Sequence, residues 1–216
     1  MIRVDMDRLE ATPLQRDPYD YVVVENFVPV DCLEAIGQDF PDLDLPGSFP
    51  VDDLAYGPVF RELLERLSRD DFRQAIERKF GIDLDGRPMT CTVRGAAQAK
   101  DGQIHTDSKT KLITVLIYLN PPWQAEGGRL RVLRSGTDLN DFAEEIEPSS
   151  GNLLVFRRSD TSWHGHEPFQ GRRRSIQINW VTSQAVADRE RARHGLSARL
   201  KRLNPFAPRA AAMSRN

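Results

Sequence analysis

The chain has 216 residues, 39% of them hydrophobic and 29% charged, with a formal net charge of −2. That is enough for one substantial core, whereas two full domains would be cramped, and the near balance of charge argues against nucleic acid or an anionic membrane as partner. No stretch approaches the ~20 apolar residues of a membrane span. The opening residues lack an apolar signal core, and Cys32 and Cys91 match neither a disulfide framework nor a zinc spacing, so a cytoplasmic setting is expected.

Taken in chain order, "YVVVENFV" reads as a strand, rich in β-branched and aromatic residues. Asp31 is placed to cap a short helix through "CLEAIGQDF", which Pro41 stops. "GPVFRELLERLSRDDFRQAIERKFGI" carries Phe60, Leu63, Leu64 and Leu67, then Phe72, Ile76 and Phe80, at helical spacing, and predicts one or two amphipathic helices. From Met89 the character changes. "MTCTVRGAA", "GQIHTD", "KLITVLIYLN", "GGRLRVL", "GNLLVFRR" and "RRRSIQINWV" are strand-like runs separated by turn residues, which suggests a double-sheet jelly roll or barrel. "SQAVADRERARHGLSARLKRL" is a basic helix with Leu196, Leu200 and Leu203 sharing a face. The expectation is a single α+β domain over 1–216. Its parts are an N-terminal strand and helices over about 19–82, a β core over about 89–182, and a C-terminal helix and tail over 183–216.

Two polar clusters stand out inside the β region. In an extended segment residues two apart share a side, so His105 and Asp107 converge on one point. Adding an imidazole from "SWHGHEP", His164 or His166, completes a 2-His-1-carboxylate set of the kind that binds Fe(II). In "RRRSIQINW", Arg173, Ser175, Gln177 and Asn179 share one face and Arg174, Ile176, Ile178 and Trp180 the other. The second face is mostly apolar and is expected to point inward, which turns Arg174 inward with it. A buried guanidinium needs an anion, either a protein carboxylate or a bound dicarboxylate. Thr114 and Tyr118 lie on one face of "KLITVLIYLN" and add hydroxyls that need partners.

These segments, in the order "HTD", "TVLIYLNPPW", "GGRLRVL", "EIEPSSGNLLVF" and "WHGHEPFQGRRRSIQINW", resemble the Fe(II)/2-oxoglutarate-dependent dioxygenases of the prolyl 4-hydroxylase-like branch, over about residues 89–182. The resemblance implies a double-stranded β-helix with N-terminal helices packed on it. It implies His105, Asp107 and His164 as metal ligands, His164 because it precedes a Pro by four positions. It implies Arg174 and Tyr118, with Thr114 beside them, as the anchor for 2-oxoglutarate, although a Gly-x-Arg spacing from Gly171 selects Arg173 instead. The implied cofactors are Fe(II), 2-oxoglutarate as cosubstrate and O2, with ascorbate as a supporting reductant. The implied reaction is hydroxylation of an aliphatic C–H in a peptide, an amino acid or a small biosynthetic intermediate. Arg94 and Lys109 flank the motif and are candidate substrate contacts. The competing readings are a cupin-like metalloenzyme without 2-oxoglutarate and a non-catalytic jelly-roll binding module.

Overall fold

Two antiparallel sheets face each other in a computed structural model that describes the backbone of residues 2–203 and the side chains of residues 2–195. The larger sheet has the order β1-β7-β4-β9-β3-β2, built from β1 (Tyr21–Val24), β2 (Phe49–Pro50), β3 (Met89–Ala97), β4 (Lys111–Tyr118), β7 (Leu153–Arg157) and β9 (Gly171–Val181). The smaller has the order β6-β5-β8, from β5 (Leu130–Leu133), β6 (Phe142–Ile146) and β8 (His164–His166). Only β2–β3 and β5–β6 are neighbours both in sequence and in a sheet; the other pairings join strands remote in the chain, as in a jelly roll.

Helices α1 (Met6–Ala11), α2 (Val30–Asp39), α3 (Pro58–Leu67) and α4 (Asp70–Phe80) precede the β core, and α5 (Gln184–Leu203) follows it. The predicted periodicity of 57–82 resolves into two helices, α3 and α4. Pro58 opens the first, where a missing N–H costs nothing. Gly81 ends the second in the left-handed conformation (φ 59°). Phe60, Leu63 and Leu67 of α3, and Phe72, Ile76 and Phe80 of α4, are buried against Val93, Ile113, Val115, Ile117, Ile176, Ile178 and Trp180 of the larger sheet. Phe72 lies with its ring centre 6.4 Å from that of Trp180. Each such side chain contributes about 1.5–3 kcal/mol by burial, so the helices are the outer wall of the main core.

The opposite face of the larger sheet looks into the space between the sheets, and it is polar. Thr92, Thr114, Arg173, Ser175, Gln177 and Asn179 all point there. A smaller cluster of Tyr19, Tyr21, Tyr118, Leu130, Val132, Ile146, Leu154 and Phe156 ties the two sheets together. Strand β9 is therefore covered on both faces. The alternation read from the sequence holds, but the apolar set meets the helices and the polar set lines the interior of the roll.

Three other expectations change. "GQIHTD" is not a strand; it contributes one isolated bridge, His105 to His164. Asp31 is not the cap of α2, whose N-cap is Pro29; it sits in the first turn, where a negative charge favours the helix dipole, and pairs with Arg3. β6 has no counterpart among the predicted strands: Phe142 and Glu145 are exposed and only Ile146 is buried, so its pattern is that of an edge strand. The backbone of α5 is helical as expected, while the shared face of Leu196, Leu200 and Leu203 lies outside the described side chains. Both cysteines are free. Among the described residues no helix is long and apolar enough to cross a membrane.

Candidate metal centre and acid pocket

The bridge that replaces the expected strand also builds the site. His105 N–H donates to the His164 carbonyl at 3.0 Å, and His164 N–H returns the bond to His105 at 3.0 Å. Residues that exchange both backbone bonds lie directly opposite each other with side chains on one side, and the two imidazole centres are 4.3 Å apart. Asp107, two residues on, joins them: one ligand atom from each of His105, Asp107 and His164 lies within 4.8 Å of the others.

The tautomers suit a metal. A carbonyl can only accept, so Nδ1 of His105 donates to Gln103 at 2.7 Å and Nδ1 of His164 donates to Ser162 at 3.0 Å. Nε2 of each ring keeps its lone pair, and the backbone bond fixes the ring's orientation. Burial pushes the His164 pKa down to about 4 against the attraction of Asp107, so the ring is neutral near pH 7. Burial works against the Asp107 charge, but Lys111 and His164 oppose it, as do hydrogen bonds from Lys111 and Thr114, and the carboxyl is held down to about 2. Lys111 Nζ donates to Oδ1 at 2.8 Å and the Thr114 hydroxyl to Oδ2 at 2.6 Å. Arg158 holds the Asp107 backbone carbonyl at 3.1 Å. Two imidazole lone pairs and one ionised carboxylate on one side of a point form a donor set that fits Fe(II) and leaves other positions open.

Beside this cluster is a cavity of about 260 Å³. Into it project Arg173 from β9 and Tyr118 from β4, the guanidinium carbon 5.1 Å from the Tyr118 ring centre. Arg173 Nε donates to the Gly128 carbonyl at 2.9 Å. The Tyr118 hydroxyl and Arg173 Nη2 are buried without a hydrogen-bond partner. Unsatisfied buried groups of this kind are rare, and these two are donors converging on one space. A carboxylate would satisfy both. Arg94 also lines the cavity, bonded to Ser48 at 2.9 Å and 3.8 Å from Asp101.

Arg174 does not reach this space. Its guanidinium lies 4.9 Å from the Phe40 ring centre on the helix side of the sheet, with Nη1 bonded to the Gly37 carbonyl at 3.3 Å. The row of β9 that lines the cavity is Arg173, Ser175, Gln177 and Asn179, while Ile176, Ile178 and Trp180 enter the main core on the helix side with Arg174. Thr114 lines the cavity, but its hydroxyl is engaged by Asp107 at the metal end. Lys109 is exposed, 4.0 Å from Asp160, and is not part of the cavity wall. His166 is buried in the wall but outside the ligand cluster, its Nδ1 bonded to the Glu167 carbonyl at 2.8 Å. It packs against Gly102, which has φ 85° and no room for a Cβ beside the imidazole. Sequence reasoning passed over Lys111, Arg158 and Glu190. Lys111 stands four residues after Asp107 beyond a turn, a weak signal; Arg158 has none, since Asp107 is far from it in the chain, and Glu190 reads as one more charge on a helical surface.

The 2OG-Fe(II) oxygenase superfamily model matches residues 94–182. No curated protein matches the chain by sequence. Among solved structures, a prolyl-4-hydroxylase from Pseudomonas putida is 18% identical at TM-score 0.51, over 82% of this chain and 93% of that one. A prolyl hydroxylase from Trichoplax adhaerens, solved with a hypoxia inducible factor peptide fragment, is 18% identical at TM-score 0.54, covering 88% and 90%. A prolyl 4-hydroxylase from Phytophthora capsici is 17% identical at TM-score 0.56, covering 87% and 68%. At these identities the structures show a shared fold. With the family match spanning "HTD" through "RRRSIQINW" and the His-Asp-His cluster inside it, residues 94–182 form a 2OG-Fe(II) oxygenase superfamily domain.

Proposed function

We propose that this chain is a single-domain hydroxylase acting on an aliphatic C–H of a peptide, an amino acid or a small biosynthetic intermediate in the cytoplasm. His105, Asp107 and His164 hold Fe(II), and Arg173 with Tyr118 anchors the far carboxylate of 2-oxoglutarate. When bound, the iron with 2-oxoglutarate and O2 supplies the oxidising chemistry, with succinate and CO2 released. The chain supplies the rest. Lys111 and Thr114 keep Asp107 ionised and oriented, the Gln103 and Ser162 carbonyls aim the imidazoles, and the two sheets keep the acid pocket away from bulk water.

The observation that carries this reading is the pair of orphaned donors, Tyr118 Oη and Arg173 Nη2, beside the three-ligand cluster. A cupin-like enzyme without 2-oxoglutarate, or a non-catalytic module, would leave both donors buried and unsatisfied, at a cost of about 1–3 kcal/mol each. Anaerobic addition of Fe(II) and then 2-oxoglutarate is expected to give a weak visible metal-to-ligand charge-transfer band. On admitting air with ascorbate present, succinate is expected to form. Absence of both band and succinate would rule the reading out.

A further inference from the structure

The strongest group that the metal centre and the acid anchor leave unexplained is Glu190. It lies on α5, only 8% exposed, and lines the main cavity. It makes no hydrogen bond or ion pair to any described residue, although bases surround it on the same helix. Arg191 turns away to Asp52, at 3.3 Å. Arg193, three residues on and on the same side of the helix, lies against His194 at 3.3 Å. The cations within reach are directed elsewhere, so this largely buried carboxylate keeps its accepting capacity for a bound cation.

Its position separates it from the 2-oxoglutarate end. Glu190 and Thr92 both line the main cavity and a second one of about 210 Å³ beneath α5. In the β-ladders Thr92 is opposite Gln177, two residues from Asn179, and Asn179 is opposite Thr114, the residue bonded to Asp107. Arg173 lies beyond Ser175, towards the other end of β9. Glu190 therefore closes the cavity near the level of the metal ligands. It lies nearer the Thr114 end of the cavity than the Arg173 end.

We infer that Glu190 is a specificity-determining residue that binds a cationic nitrogen, a primary amine or a guanidine, on the substrate. This rests on the hydroxylase reading and narrows its substrate class. Thr92 and Gln177 supply neutral hydrogen-bonding partners alongside, and the second cavity leaves room for the substrate to extend past the nitrogen.

The test uses the full chain loaded with Mn(II) and 2-oxoglutarate under nitrogen, so that no turnover occurs. Binding of L-arginine is compared with its neutral near-isostere L-citrulline, and L-lysine with L-norleucine, by calorimetry and by Mn(II)-induced relaxation of the ligand protons. At least one cationic member is expected to bind about ten-fold or more tighter than its neutral partner and to show strong relaxation. Glu190→Gln is expected to erase the preference and leave 2-oxoglutarate affinity unchanged, while Glu190→Asp retains part of it. Equal binding within both pairs, no binding of any probe, or a preference that survives Glu190→Gln would overturn the inference. Failure of the wild-type chain to bind 2-oxoglutarate would instead remove the hydroxylase reading. The arginine–citrulline comparison on metal-free protein would then decide whether Glu190 still selects a cation.

Discussion

The Arg173 guanidinium sits 5.1 Å from the centre of the Tyr118 ring, and each of the two side chains holds a buried polar atom with no partner. Burial raises the Tyr118 pKa, with the charges of Arg173 and Arg94 pulling the other way, so the hydroxyl remains a donor at neutral pH. Two buried donors lining one cavity favour a carboxylate and penalise anything that leaves them unmet. Arg173→Gln is expected to weaken 2-oxoglutarate binding by about 2–5 kcal/mol, the range for truncating one side of a buried charged pair. Arg174→Gln is expected to leave that affinity nearly intact and to cost about 0.5–1 kcal/mol of stability through the lost Phe40 contact. Titration of the charge-transfer band with 2-oxoglutarate, alongside urea melts, checks both.

Asn120 clamps the backbone of β9 next to the inward-facing Arg173. Its Oδ1 accepts from the Arg174 backbone N–H at 2.7 Å, and its Nδ2 donates to the Arg174 carbonyl at 3.0 Å and to Pro148. One buried side chain thus pins both backbone groups of Arg174 where β9 passes the end of β4. Asn120→Ala leaves these groups short of partners, with a penalty of about 1–3 kcal/mol for each one unsatisfied. A fall in urea midpoint together with weaker 2-oxoglutarate binding is expected. A fall in stability alone would mean that the clamp does not position Arg173.

The contrast between Arg173 and Arg174 shows what was legible in the sequence. The period of two in β9 was readable, and so were the metal-ligating residue types and the helical stripes of α3 and α4. The side on which the helices would pack was not, because periodicity states that two faces differ and is silent on what covers each. The rule that apolar faces point inward has two meanings in a roll with an outer helical layer: the apolar row enters the main core, and the polar row enters the cavity. His105 and Asp107 were paired by assuming a strand, whereas their convergence with His164 comes from a single bridge. Glu190 was invisible, since an acid among the arginines of a basic helix reads as solvated surface until the sheet beneath it is known.

Asp107 accepts one hydrogen bond on each oxygen, from Lys111 at 2.8 Å and Thr114 at 2.6 Å. Bonds to charged groups are worth about 1.5–3 kcal/mol each, and partners of metal ligands typically contribute 10–100-fold, roughly, to metal affinity. Thr114→Val keeps the shape and removes the donor. It is expected to lower Fe(II) or Mn(II) affinity by about ten-fold or more while the far-carboxylate contacts of 2-oxoglutarate stay in place. Manganese titration followed by electron paramagnetic resonance measures the first, and 2-oxoglutarate binding at saturating metal measures the second.

His105 and His166 both line the cavity, but of the two only His105 belongs to the ligand cluster. His105→Ala is expected to abolish metal binding at micromolar concentrations. His166→Gln is expected to retain it, because that ring is tied to the Glu167 carbonyl and packed on Gly102. Gly102→Ala adds a third arm. Its φ of 85° and the imidazole beside it leave no place for a methyl group, so the loop must shift at a cost of about 1–3 kcal/mol. Metal affinity is then expected to fall through His105, three residues along the same loop, without any ligand having been removed. Loss of metal in His166→Gln equal to that in His105→Ala would show that His166, not His164, supplies the third imidazole.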